Sequence, residues 1–165
     1  MEVRSIVVER FSVISRKPFG EILACIDSAI GKHDPVMLER AIHATHSYSD
    51  LKFIVDKLTG PSELLEFLRL DIGAIVTKGR DGEKPRSLRL LVGNPLIMRQ
   101  MAEHVPDVGS YAPVTLLIDE RSDGVHLSYD RIASLLACYE DSAASECARS
   151  LDLKVEKLLV DAAAS

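Results

Sequence analysis

Between Leu88 and Tyr129 the chain passes from a strand-length apolar run to helical spacing and back to strands. Leu88, Leu90, Leu91 and Val92 end at Gly93-Asn94-Pro95, after which Ile97, Met98, Met101, Ala102 and Val105 recur every three or four residues as far as Pro106. This predicts a strand, a tight turn and a helix, with Asn94 as N-cap and Pro95 at the first helical position, where its missing N–H costs nothing. Val114 to Ile118 form the next strand-like run, and Asp119 to Gly124 carry hairpin chemistry. In Val125-His126-Leu127-Ser128-Tyr129 the alternation puts Val125, Leu127 and Tyr129 on one face and His126 and Ser128 on the other. Asp130 is then placed to cap a helix with the stripe Ile132, Leu135, Leu136 and Tyr139.

The remaining chain supplies partners for this stretch. An imperfect alternation over 4–14 predicts a first strand, and Pro18 opens a helix with Phe19, Ile22, Leu23, Ile26 and Ile30 on one side. Asp34-Pro35 and Ser49-Asp50 start two further helical patterns, so 33–60 is expected to be an inserted helical hairpin. Residues 63–70 are taken as a strand, 71–76 as a short helical turn and 78–85 as a charged surface loop. From Ser142 to Ala164 a long apolar stripe, including Cys147, Leu151, Val155 and Leu159, must cover the sheet or a partner. The expected fold is α/β (α+β): one domain over 1–165, with a single mixed sheet of about five strands and helices on at least one face. The strands are expected near 4–14, 63–70, 87–92, 112–120 and 124–129, with Pro106 and Gly109 outside regular elements.

Composition narrows the function. A net charge of −5 provides no basic field to hold a phosphate backbone, so nucleic acid is not an expected partner. Charged residues interrupt every apolar run before it reaches membrane-spanning length, so the expectation is a cytoplasmic protein without a membrane span. Cys25, Cys138 and Cys147 are odd in number and form no C-x-x-C pair, which argues for buried free thiols. His43 and His46 have a spacing that can chelate a metal, but no acidic residue completes a known motif, and no metal or cofactor is assigned.

Gly-x-Gly-x-x-Gly and Gly-x-Ser-x-Gly are both absent. The acid–base candidates are His126 with Ser128 or Tyr129, His104 near Asp107, and Cys25; none makes a recognisable catalytic set, so the balance leans against an enzyme and no catalytic residue is assigned. The binding candidates are Gly93, Asn94, Pro95, Met98, Tyr111 and His126. Backbone N–H groups at a helix N-terminus favour an anionic head, Met98 adapts to an apolar body, and Tyr111 and His126 would stand on the wall. The simpler readings are that Asn94 is a cap and the methionines are core.

The residues Gly93-Asn94-Pro95, Val105-Pro106-Asp107-Val108-Gly109 and Asp123-Gly124-Val125-His126-Leu127-Ser128-Tyr129-Asp130 together resemble the bacterial family catalogued as domain of unknown function 302. The resemblance covers nearly the whole chain, with 33–60 resembling the insertion of its longer members. It implies a compact α/β domain that is often a homodimer, and it transfers no catalytic residues. The resulting expectation is a homodimer that binds a small, partly apolar or anionic ligand in a partly apolar cleft. The alternatives are an unidentified reaction using His126, or a module whose main role is dimerisation through the C-terminal stripe or a strand edge.

Overall fold

The computed structural model describes residues 3–79 and 85–164. Five strands, β1 (Arg10–Ser15), β2 (Leu65–Asp71), β3 (Ser87–Gly93), β4 (Val114–Arg121) and β5 (Gly124–Asp130), form one sheet in the order β1-β5-β4-β3-β2. The helices are α1 (Phe19–Ala29), α2 (Pro35–His43), α3 (Tyr48–Leu58), α4 (Ile72–Val76), α5 (Pro95–Ala102), α6 (Ile132–Leu136) and α7 (Ser142–Ala163). The α+β class and the five strands match the sequence pattern. The sheet was expected to be mixed, but all its ladders are antiparallel, and among the described residues parallel pairing is confined to an isolated bridge between Gly31 and Leu65. A two-residue turn joins β4 to β5, and α5 returns the chain to the end of the sheet from which β3 left. Neither connection carries the chain to the opposite end of the sheet, as joining parallel strands requires.

Alternation decides which face is covered. Leu90 and Val92, Val114, Leu116 and Ile118, and Val125, Leu127 and Tyr129 are buried on one side beneath α1, α5, α6 and α7. α7 contributes Ala144, Ala148, Leu151, Val155, Leu158, Leu159 and Ala162 to the same core. The C-terminal stripe therefore covers the chain's own sheet and is not free for a partner. Each fully buried leucine adds about 1.5–3 kcal/mol, so Leu151→Asp or Val155→Asp strikes folding rather than assembly.

Several boundaries differ from expectation for physical reasons. β1 starts at Arg10 because its partner β5 ends at Asp130, opposite Arg10; upstream, Glu9 bonds instead with Arg131 N and Ser134 Oγ. Pro106–Ser110 forms a short 3₁₀ turn, with Val108 buried, so Pro106 and Gly109 are more ordered than expected. Cys25 is exposed and the other two cysteines are only half-buried, none being a buried thiol. The loop expected over 78–85 lies mostly outside the described residues. His43 ends α2, 3.9 Å from Glu39, and His46 lies beyond it; among the described residues no group of three His, Cys, Asp or Glu is arranged to hold a metal.

Asp130 does not cap α6; it pairs with Arg10. The cap comes from α7, where buried Asp152 accepts from Ile132 N at 2.9 Å, Ala133 N at 3.2 Å and the hydroxyl of Tyr129. The joint ties the last strand to two helices in a site with little water. Burial, followed by the Asp152 charge, raises the Tyr129 phenol, and burial raises the Asp152 carboxyl.

Asp152→Ala is expected to cost about 2–4 kcal/mol in urea denaturation, because it leaves buried donors without an acceptor. A raised folded pKa means that the carboxyl's contribution is fully present below the ordinary carboxylate range and is lost as pH rises through the folded value. Wild-type stability relative to Asp152→Asn should therefore increase as pH is lowered through that window, and a flat difference would contradict the assignment.

Candidate functional site

Among the described residues, no helical layer covers the centre of the second face of the sheet. Register aligns its side chains in rows: Leu68, Leu91 and Thr115 in one; Leu70, Arg89, Leu117, Ser128 and Ser12 in the next; Ser87, Asp119, His126 and Ile14 in the third. Arg10 and Asp130 extend the first row across β1 and β5. Where this face meets the 106–110 turn and α6, there is a cavity of about 340 Å³. Thr115, Leu117 and Ser128 form its floor, Tyr111 and Leu135 its far wall, and Arg10, Arg89 and Asp130 its charged rim.

The charges on the rim are unequal. Asp130 holds Arg10 bidentately, Nε–Oδ1 at 2.6 Å and Nη2–Oδ2 at 2.9 Å, and this pairing keeps the Asp130 carboxyl below its usual range. Arg89 donates to the Thr115 hydroxyl at 3.3 Å, and among the described residues no carboxylate lies within ion-pair distance of it. Arg89 thus stands without an ion-pair partner among the described residues, in a chain whose overall charge is negative.

Tyr111 is half-buried and its hydroxyl lies 3.3 Å from that of Tyr139, which donates to Asp107 at 2.9 Å. The contact with Tyr111, then that with Asp107, pushes the Tyr139 phenol upward. Asp107 therefore serves a tyrosine rather than His104, which sits 3.6 Å from Asp141.

Of the six candidate positions, Tyr111 is on the cavity wall. Gly93 lies at the same end of the sheet, close to Pro113, where an added Cβ would come within 3.3 Å. Asn94 turns toward the helical layer: its Oδ1 accepts from Leu96 N at 2.8 Å and Ile97 N at 3.4 Å, and its Nδ2 donates to Glu63 O at 2.9 Å. Asn94 is thus a fully engaged cap, and the N–H groups expected to meet a ligand are already satisfied. Pro95 opens α5, Met98 packs against the core and Met101 is wholly buried. His126 is on the open face but two residues beyond Ser128, roughly 7 Å along the strand, with its Nε2 2.8 Å from Asp123 Oδ1. That contact holds the Asp123 carboxyl down.

Sequence reading missed Arg10, Arg89, Thr115 and Asp130. The available signal was alternation, since Arg89 interrupts Leu88 and Leu90 as His126 and Ser128 interrupt β5.

The family described as Domain of unknown function DUF302 matches residues 55–162. A solved structure, that of an uncharacterized conserved protein DUF302 from Bacillus stearothermophilus, aligns over 93% of this chain and 97% of its own at a TM-score of 0.62, with 14% sequence identity. At that identity the likeness concerns the fold. No curated protein matches.

Asn94→Ala is expected to lower stability by about 1–2 kcal/mol through loss of the cap, read as a lower urea midpoint. An unchanged midpoint would contradict the capping role.

Proposed function

The chain belongs to the Domain of unknown function DUF302 family, and on that footing we propose that it binds small molecules carrying an anionic head on a partly apolar body. The observation that carries this reading is Arg89, a guanidinium without a carboxylate partner among the described residues, at the rim of a cavity whose Leu117, Leu135 and Tyr111 offer apolar surface. Arg10 and Asp130 neutralise each other, so the local excess is one positive charge. Thr115 and Ser128 add hydroxyls that orient the head group. The mixed lining favours a carboxylate on a hydrocarbon or ring over a free inorganic anion. The candidate acid–base residue His126 lies beyond the cavity lining and faces Asp123, which supports binding rather than catalysis.

The same reading takes the chain as a homodimer in solution. With the α7 stripe committed to the core, the surface that favours self-association is a strand edge: on the two outer strands, Ile14 of β1 and Leu68 and Leu70 of β2 remain 52%, 42% and 38% exposed. Light scattering at micromolar concentration tests this: a mass near twice that of the chain is expected, and a strictly monomeric mass overturns it.

Titration calorimetry with benzoate, hexanoate and inorganic phosphate tests the site. The two carboxylates should bind more tightly than phosphate. Arg89→Gln should weaken them about tenfold or more, since hydrogen bonds to charged groups contribute about 1.5–3 kcal/mol. Equal affinities for wild type and Arg89→Gln would overturn the placement.

A further inference from the structure

Tyr111 belongs to two cavities. Beside the one described above is a second, of about 330 Å³, lined by Arg4, Ile6, Asp107, Tyr111 and Tyr139. Three stretches of chain contribute to both, the first cavity adding residues of β3, β4 and β5. The segment leading into and opening β1 supplies Arg10 to the first and Arg4 and Ile6 to the second; the 106–110 turn supplies Ser110 and Asp107; α6 and the turn after it supply Leu135 and Tyr139. The two cavities share one lining residue, Tyr111; taken together they would form one groove of two compartments.

We propose that Tyr111 is the partition that sets the length of ligand this groove accepts, an inference that rests on the binding reading above. A partition must be held in place, and the hydroxyl chain does this: Tyr111 meets Tyr139 at 3.3 Å, and Tyr139 is fixed by its bond to Asp107 and by the Arg4 guanidinium, 4.8 Å from its ring centroid. The compartments also differ in chemistry. The near one mixes apolar side chains with hydroxyls under a rim of net positive charge; the far one presents Arg4, Asp107 and a phenol hydroxyl, which suit a hydroxyl or amide rather than an alkyl end. With the partition in place the groove takes a short anion with an apolar body. With it removed, the groove takes a longer molecule, anionic at one end and hydroxylated at the other.

Linear ω-hydroxycarboxylates of four, six, eight and ten carbons, titrated calorimetrically into the full chain, provide the test. Wild-type affinity should peak within the series and fall about tenfold beyond the peak, the scale on which pockets discriminate by size. In Tyr111→Ala the peak should move to a longer member, while Tyr111→Phe, which keeps the ring, should retain the wild-type limit. If Tyr111→Ala is unfolded by circular dichroism, Tyr111→Leu is read in its place and should show a smaller shift in the same direction. An unshifted peak, or an equal loss at every length, overturns the partition, while continued sensitivity to Arg89→Gln leaves the binding reading standing. If no member of the series binds wild type or variant, both fall together.

Discussion

A sheet covered on one face only imposes a division of labour on every strand. Side chains alternate across the sheet with a period of two, so each strand in contact with the helical layer must send its apolar residues one way and whatever lies between them the other. β4 and β5 keep largely to this, with Val114, Leu116, Ile118, Val125, Leu127 and Tyr129 beneath the helices and Leu117 the one apolar side chain of these two strands on the other face. The intervening Thr115, Asp119, His126, Ser128 and Asp130 then share the opposite face with Arg89. A one-residue slip in either strand would bury these polar groups and expose the core set. The location of the polar face, and so of the binding groove, is a by-product of burying the other side.

One buried polar joint holds the covered side together. Tyr129 ends the apolar row of β5, and its hydroxyl needs a partner there; Asp152 supplies it and also accepts from the first N–H groups of α6. A buried carboxylate is costly unless hydrogen-bonded, and this one takes three donors. The joint fixes where α6 begins, and α6 with the turn after it carries Leu135 and Tyr139 toward the groove. The core and the groove therefore share a hinge point, although their surfaces lie on opposite sides of the sheet.

The groove combines a neutral ion pair, a free guanidinium and a tyrosine anchored by its neighbours. Each element is ordinary. In the proposed reading their combination separates attraction from selection: Arg89 would supply the charge that captures an anion, and the chain from Tyr111 through Tyr139 to Asp107 a wall of fixed position. Affinity and length discrimination would then rest on different residues.

The local chemistry was readable from the residues themselves. Alternation identified β5 and its buried face, apolar runs identified β3 and β4, the three-and-four spacing identified α1, α5 and α7, and Asn94-Pro95 identified a helix start, because each depends on neighbours within one turn or one strand. Tertiary structure decided what distance along the chain conceals. The partner of Asp130 is Arg10, 120 positions away, and the cap of α6 comes from α7 rather than the preceding residue. Arg89, Thr115, Ser128 and Tyr111 share a cavity because antiparallel register sets their strands side by side; the β4–β5 turn fixes one register locally, but no local pattern specifies that between β3 and β4 or between β5 and β1. The same reasoning explains why the Asn94 cap was legible in the sequence while the lining of the cavity was not: capping is settled within three residues, whereas a cavity exists only once the sheet has assembled.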